Sequence, residues 1–230
     1  MAKHLDLEEQ EQLDEIKHFW KQYGNLITWA LIAVLGTFAA WNGYQYWQRS
    51  QSVQAAVMFD EIERAVQSGD TARIDRTLAD MKERFANTAY AQQAGLLTAK
   101  AYYDKGNAEA ARITLAWVAE KSSDPGYQAI AKLRLAGILL EQKSYDAALQ
   151  QLAAAFPPAF EGLAADRRGD ILTVQGKKAE AKAEYEKAWK ALDERAEYRR
   201  MIEVKLNALG VDPTAGQVKL ATIENAEANK

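Results

Sequence analysis

Two histidines, His4 and His18, and no cysteine occur among the 230 residues. From residue 19 onward the chain therefore lacks both imidazole and thiol. It cannot build a Ser-His-Asp triad, a Cys-His pair or a zinc site of the usual nitrogen and sulfur type there. Carboxylates remain, but Asp60/Glu61 and Glu184/Glu186 lack the partners that would tune a carboxyl for proton transfer. His4 and His18 lie too far apart for a usual metal-ligand pair. Arg168-Gly169-Asp170 spells an adhesion tripeptide, yet it falls within a helical stretch. Lys177-Lys178 reads as a solvated helix start. The expectation is a non-enzymatic protein with no metal and no cofactor.

Hydrophobic residues make up 48% of the chain and only 4 residues are Pro. Nearly one residue in five is Ala, the best helix former, so composition predicts an all-α protein. Residues 1–21 hold Lys3, Lys17 and Lys21 against six acidic side chains. The rest of the chain is charge-balanced, which leaves no basic footprint for nucleic acid.

No charge interrupts the chain between Lys21 and Arg49. Within that stretch residues 26–46 are long enough, at about 1.5 Å per residue, to cross roughly 30 Å of hydrocarbon. Phe19, Trp20 and Tyr23 flank one side, and Trp41, Tyr44, Tyr46 and Trp47 the other. Amphipathic rings at both ends suit the two membrane-water interfaces. The prediction is an uncleaved transmembrane helix over 22–48, with an acidic tail at 1–21. Positive flanking charge favours a cytoplasmic N-terminus only slightly. Gly36, Ala40 and Gly43 share one helix face and could admit a second membrane helix closely.

The remainder repeats. Turns centred on Gly69, Gly106, Lys143-Ser144 and Gly176 recur at intervals of 37, 37 and 33 residues. Small residues stand seven before three of them (Ala99, Ala136, Gly169) and five after (Ala111, Ala148, Ala181). Nine after come Leu78, Leu115, Leu152 and Tyr185, and twelve after come Met81, Val118, Ala155 and Ala188. Small residues at a helix crossing with larger ones between pairs describe stacked α-hairpins, as in the tetratricopeptide repeat. The first unit departs, with Ile62 and Ile74 at the small positions. The spacing predicts helix pairs at 51–67/71–86, 89–104/108–121, 126–142/145–156 and 160–174/178–192. A capping helix follows near 195–209, with Glu194, Arg195, Glu197, Arg199 and Arg200 on its charged face. The predicted architecture is one N-terminal transmembrane helix, then a solenoid of about four hairpins over 49–209, then a flexible tail over 210–230.

In such a stack the first helices line a concave face. The repeat register puts Leu96, Lys100, Tyr103 and Asp104 there, then Leu133, Leu140 and Glu141, then Leu163, Asp166 and Asp170. The expected surface is an apolar groove with an acidic rim, suited to a polypeptide.

An acidic tail, a span ending in Trp41-x-x-Tyr44-x-Tyr46-Trp47, and Gln51-Ser52-x-x-Ala55 opening the repeats together resemble the YfgM family of bacteria. The stretch Ala165-Asp166-Arg167-Arg168-Gly169-Asp170-Ile171-Leu172 is similar too, as are Gln175-Gly176-Lys177, Ala181 and Val204-Lys205-Leu206-Asn207-Ala208-Leu209. The resemblance covers essentially residues 10–209; the tail after Gly210 departs from the pattern. It implies a single-pass inner-membrane protein with a cytoplasmic N-terminus and periplasmic repeats. It further implies an ancillary subunit of the SecYEG translocon that associates with the chaperone PpiD and helps pass translocating polypeptides onward. An alternative role attached to the family is regulation of an envelope stress response by protein sequestration.

Overall fold

The computed structural model describes residues 7–215, with side chains from residue 12 onward. His4, Lys3 and the expected tail beyond residue 215 lie outside the described residues. Nine α-helices and no strand occur among the described residues: α1 Leu7–Ser68, α2 Thr71–Arg84, α3 Ala89–Asp104, α4 Ala108–Lys121, α5 Pro125–Glu141, α6 Tyr145–Gln151, α7 Pro158–Val174, α8 Lys178–Ala191 and α9 Tyr198–Ala208. The chain divides into two units, Met1–Val53 and Gln54–Lys230. The span and the first repeat helix, expected as separate elements, are continuous in α1. The intervening Gln48-Arg49-Ser50-Gln51-Ser52 contains neither Gly nor Pro to end a helix.

In the first unit α1 carries the apolar stretch on all sides. Leu26, Trp29, Val34, Phe38 and Trp41 are all exposed. This is a helix long and apolar enough to cross a membrane, and almost none of its apolar stretch is buried in the protein. Three of its polar side chains bond to the helix itself. Thr28 donates to the Gly24 carbonyl at 2.7 Å, Thr37 to Ala33 at 2.8 Å, and Asn42 to Phe38 at 2.8 Å. That is what a hydrocarbon environment demands of a polar group. Phe19 and Tyr23 pair at 5.1 Å on one side, and Tyr44 and Trp47 at 6.1 Å on the other.

The second unit is the hairpin stack. Each predicted turn residue adopts a positive φ: Gly69 at 73°, Gly106 at 81°, Lys143 at 59° and Gly176 at 76°. The following N–H reaches back five residues in every case. Asp70 donates to Ala65 at 2.9 Å, Asn107 to Tyr102 at 2.9 Å, Ser144 to Leu139 at 2.8 Å and Lys177 to Leu172 at 2.9 Å. This left-handed cap satisfies orphan carbonyls at a helix end, and glycine adopts it with least strain. Polar side chains close several N-termini. Asp70 accepts from the Arg73 N–H at 3.0 Å, Thr88 from Ala91 at 3.2 Å and Asn107 from Ala110 at 3.1 Å. Asp124 accepts from Gly126 at 2.7 Å, ahead of a helix that begins at Pro125.

The small residues of the pattern meet at the crossings. Ala111, Ala136, Ala148 and Ala181 are fully buried, and Ala99 nearly so. A Cβ built on Gly169 would stand 2.4 Å from a Tyr185 ring carbon, so glycine lets α7 and α8 approach closely there. The α1–α2 pair differs in its side chains: Ile62 and Ile74 stand where the other hairpins carry small residues, and both are fully buried.

Three expectations need correction. α6 ends at Gln151 rather than 156, and Ala155 is exposed rather than packed. Pro157 and Pro158 force the preceding backbone out of the helical region, and Phe156 turns inward to be buried. Arg168 then caps the shortened helix by donating to the Leu152 carbonyl at 3.0 Å. The charged residues expected on α9 partly precede it, and its outward face exposes Met201 and Val204. Residues 210–215, expected to begin a flexible tail, instead finish the α9 cap. Gly210 has φ 78°, Val211 donates to Leu206 at 3.0 Å and its side chain packs on the α7–α9 core.

Candidate protein-binding groove

First helices of successive hairpins lie side by side, so α3, α5 and α7 together present one surface. Between them opens a groove of about 420 Å³. From α3 come Ala99, Lys100, Tyr103 and Asp104; from α5 come Leu133, Arg134, Gly137, Ile138 and Glu141; Leu115 of α4 and Arg167 of α7 complete it. Of the residues expected there, the structure brings together Lys100, Tyr103, Asp104, Leu133 and Glu141. Leu96 is instead buried, and its carbonyl accepts from Arg134 at 3.2 Å. Leu140 packs against the main core and Leu163 is half-buried on α7. Neither lines the groove.

Polar groups on the groove pair across helices. Tyr103 donates to Glu141 at 2.5 Å, joining α3 to α5, and this bond raises the Tyr103 phenol above its ordinary pKa. Lys100 bonds Asp104 at 2.5 Å along α3.

Of the expected acidic rim, Asp104 and Glu141 line the groove, whereas Asp166 and Asp170 face another helix. Lys205 of α9 reaches both, at 2.6 Å each. Tyr198 donates to Asp166 at 2.6 Å, and Tyr185 to Asp170 at 2.9 Å. Burial, then the neighbouring carboxylates, push the Tyr198 phenol well above its usual pKa; burial is also the main cause at Tyr185. These aspartates hold the capping helix. Sequence reading missed this socket because its partners lie 32 to 39 residues apart. One signal was present: an acidic residue predicted near a repeat crossing requires a buried partner. Arg168 of the adhesion-like tripeptide is likewise internal, bonded to Glu184 at 2.7 Å and Glu161 at 3.1 Å. Burial opposes ionisation of Glu184, but bonds from Lys187 and Arg168 prevail and hold its pKa low.

On α1, a Cβ at Gly36 or Gly43 would meet nothing within 4 Å, so this side of the helix is open. His18 is exposed.

Comparison with known proteins agrees with this architecture. A family model described as a tetratricopeptide repeat-like domain matches residues 17–211. A protein of Neisseria gonorrhoeae named "Ancillary SecYEG translocon subunit" is 33% identical over 211 residues, 91% of this chain and 100% of the relative. The chain belongs to the YfgM family. Two further relatives with the same printed name come from Haemophilus influenzae, 29% identical over 88% of this chain and 98% of the relative, and Escherichia coli, 26% identical over 88% and 97%. The match spans both the apolar part of α1 and the hairpins, so this pairing of span and stack is a feature of the YfgM family and not of this chain alone.

Proposed function

We propose that this chain is a non-enzymatic, membrane-tethered scaffold that serves as an ancillary subunit of the SecYEG translocon. The observation that carries the reading is that relatives bearing that printed name match it along nearly their whole lengths. The structure supplies parts suited to the role. An apolar helix whose Thr28, Thr37 and Asn42 bond back to its own carbonyls, with aromatic ends, suits lipid. A hairpin stack with an open groove is built to hold polypeptide. In this reading residues 22–48 lie in the inner membrane, 1–21 in the cytoplasm and 49–209 in the periplasm.

The Gly36, Ala40 and Gly43 face of α1 then docks against membrane partners. The groove holds PpiD or an emerging chain. Tethering matters because it keeps a weak binder at high effective concentration beside the channel exit.

The test is affinity purification of tagged SecYEG in mild detergent. The scaffold reading expects this chain to co-purify, and PpiD to follow it only when residues 49–209 are present. A translocon recovered free of the chain overturns the reading.

A further inference from the structure

The groove has an unbalanced charge. Its lining holds three cations, Lys100, Arg134 and Arg167, against two carboxylates; Lys100 neutralises Asp104, while Glu141 accepts from the neutral Tyr103 phenol and keeps its charge, so one positive charge is in excess. Arg134 gives one N–H to the Leu96 carbonyl at 3.2 Å, and neither Arg134 nor Arg167 has a carboxylate partner among the described residues. Around them Ala99, Leu115, Leu133 and Ile138 form an apolar floor.

Gly137 supplies an independent observation. A glycine in a helix interior destabilises the helix relative to alanine, so it needs a reason. Gly95 and Gly162 have one: a Cβ there would stand 2.5 Å from Val118 and 2.8 Å from Leu192. Gly137 has no such neighbour. A Cβ at this position would meet only Arg167, at an ordinary 3.7 Å. Its missing side chain leaves space open in front of that guanidinium.

We propose that the groove takes an apolar polypeptide segment of a partner protein that carries acidic side chains. Carboxylates of the segment pair with Arg134 and Arg167, whose planar donors suit them, while apolar side chains rest on Leu133 beside Gly137. Charge complementarity selects this occupant over a basic one. The inference rests on the scaffold reading and specifies the chemistry of what the scaffold holds.

The experiment uses the full chain in lipid nanodiscs, with empty nanodiscs as the blank. Labelled peptides of one Leu/Ala pattern carry Glu, Gln or Lys at the remaining positions, and fluorescence anisotropy reads binding. The Glu peptide should bind at least tenfold more tightly than the Gln peptide, and the Lys peptide more weakly still. Arg134→Gln with Arg167→Gln should abolish that preference. Gly137→Leu should weaken the Glu peptide at least tenfold without changing helix content. Equal binding of the three peptides, or a Glu preference that survives the arginine double variant, overturns the proposal. A chain ending at Ala215 that binds the Glu peptide tenfold more tightly would show the groove to be occupied by this chain's own end, and also overturns it. Co-purification with SecYEG is read separately, so failure of the charge preference is distinguishable from failure of the scaffold reading.

Discussion

Lys205 of α9 places its ammonium 2.6 Å from a carboxylate oxygen of Asp166, whose side chain is only 3% exposed. The same ammonium reaches Asp170 at 2.6 Å, so one cation serves two anions on α7. A buried pair of this kind is weak evidence of net stabilisation, but removing one member leaves the other charge stranded. The capping helix is thus fixed by electrostatics as well as by buried Ile202 and Leu206.

Lys205→Met should therefore destabilise α9 by about 3 kcal/mol, the scale of an uncompensated buried carboxylate. Hydrogen exchange of the α9 amides should accelerate on the order of a hundredfold. Adding Asp166→Leu should recover part of the loss. Unchanged exchange in Lys205→Met would mean that Asp166 does not depend on its partner.

Tyr185 and Tyr198 have phenols raised above the ordinary value by burial and by neighbouring aspartates. Below about pH 10 both folded and unfolded chains hold these phenols neutral, and their contribution is fully present. As pH rises past that point the unfolded chain ionises first, and stability is lost toward the higher folded pKa. Spectrophotometric titration should show these phenols silent while exposed tyrosines ionise. Tyr198→Phe should leave the early titration unchanged and remove a late step. Glu184 works at the other end of the scale: its lowered pKa contributes stability at neutral pH that is lost as pH falls through and below the usual carboxylate range.

Two glycines one hairpin apart should respond oppositely to the same substitution. Gly169→Ala pushes a methyl into the Tyr185 ring and should cost about 1–3 kcal/mol despite alanine's better helix propensity. Gly137→Ala meets open space and should stabilise by up to about 1 kcal/mol. Thermal unfolding of the full chain in detergent, followed by circular dichroism, reads both signs.

Lys143 is the only described residue other than glycine with a positive φ. The left-handed region strains a side-chain-bearing residue by about 1–2 kcal/mol. Lys143→Gly should raise stability by about 1 kcal/mol, part of the relief being offset by glycine's greater freedom when unfolded. A fall in melting temperature would show that the lysine side chain contributes more than its backbone costs.

The hairpins were readable in the sequence because each turn needs a left-handed residue and each crossing a small one. Gly69, Gly106 and Gly176 mark the turns, and Ala99, Ala111, Ala136, Ala148, Gly169 and Ala181 the crossings. The early end of α6 was less legible: Leu152 to Ala155 favour helix, and Pro157 and Pro158 constrain only the residues directly before them. Half of the groove list sits on the groove, because repeat register fixes which helix face a residue occupies. Asp166 and Asp170 went astray because register is blind to the helix that closes the stack. The single excess positive charge of the groove arises because Arg134 and Arg167 meet there without a carboxylate, and only three-dimensional partners reveal that.

The most direct test of the central claim is where the full-length chain goes after cell breakage and an alkaline carbonate wash. A lipid-spanning α1 ahead of the hairpins predicts recovery in the membrane pellet, with release only by detergent. Recovery in the aqueous supernatant would contradict it.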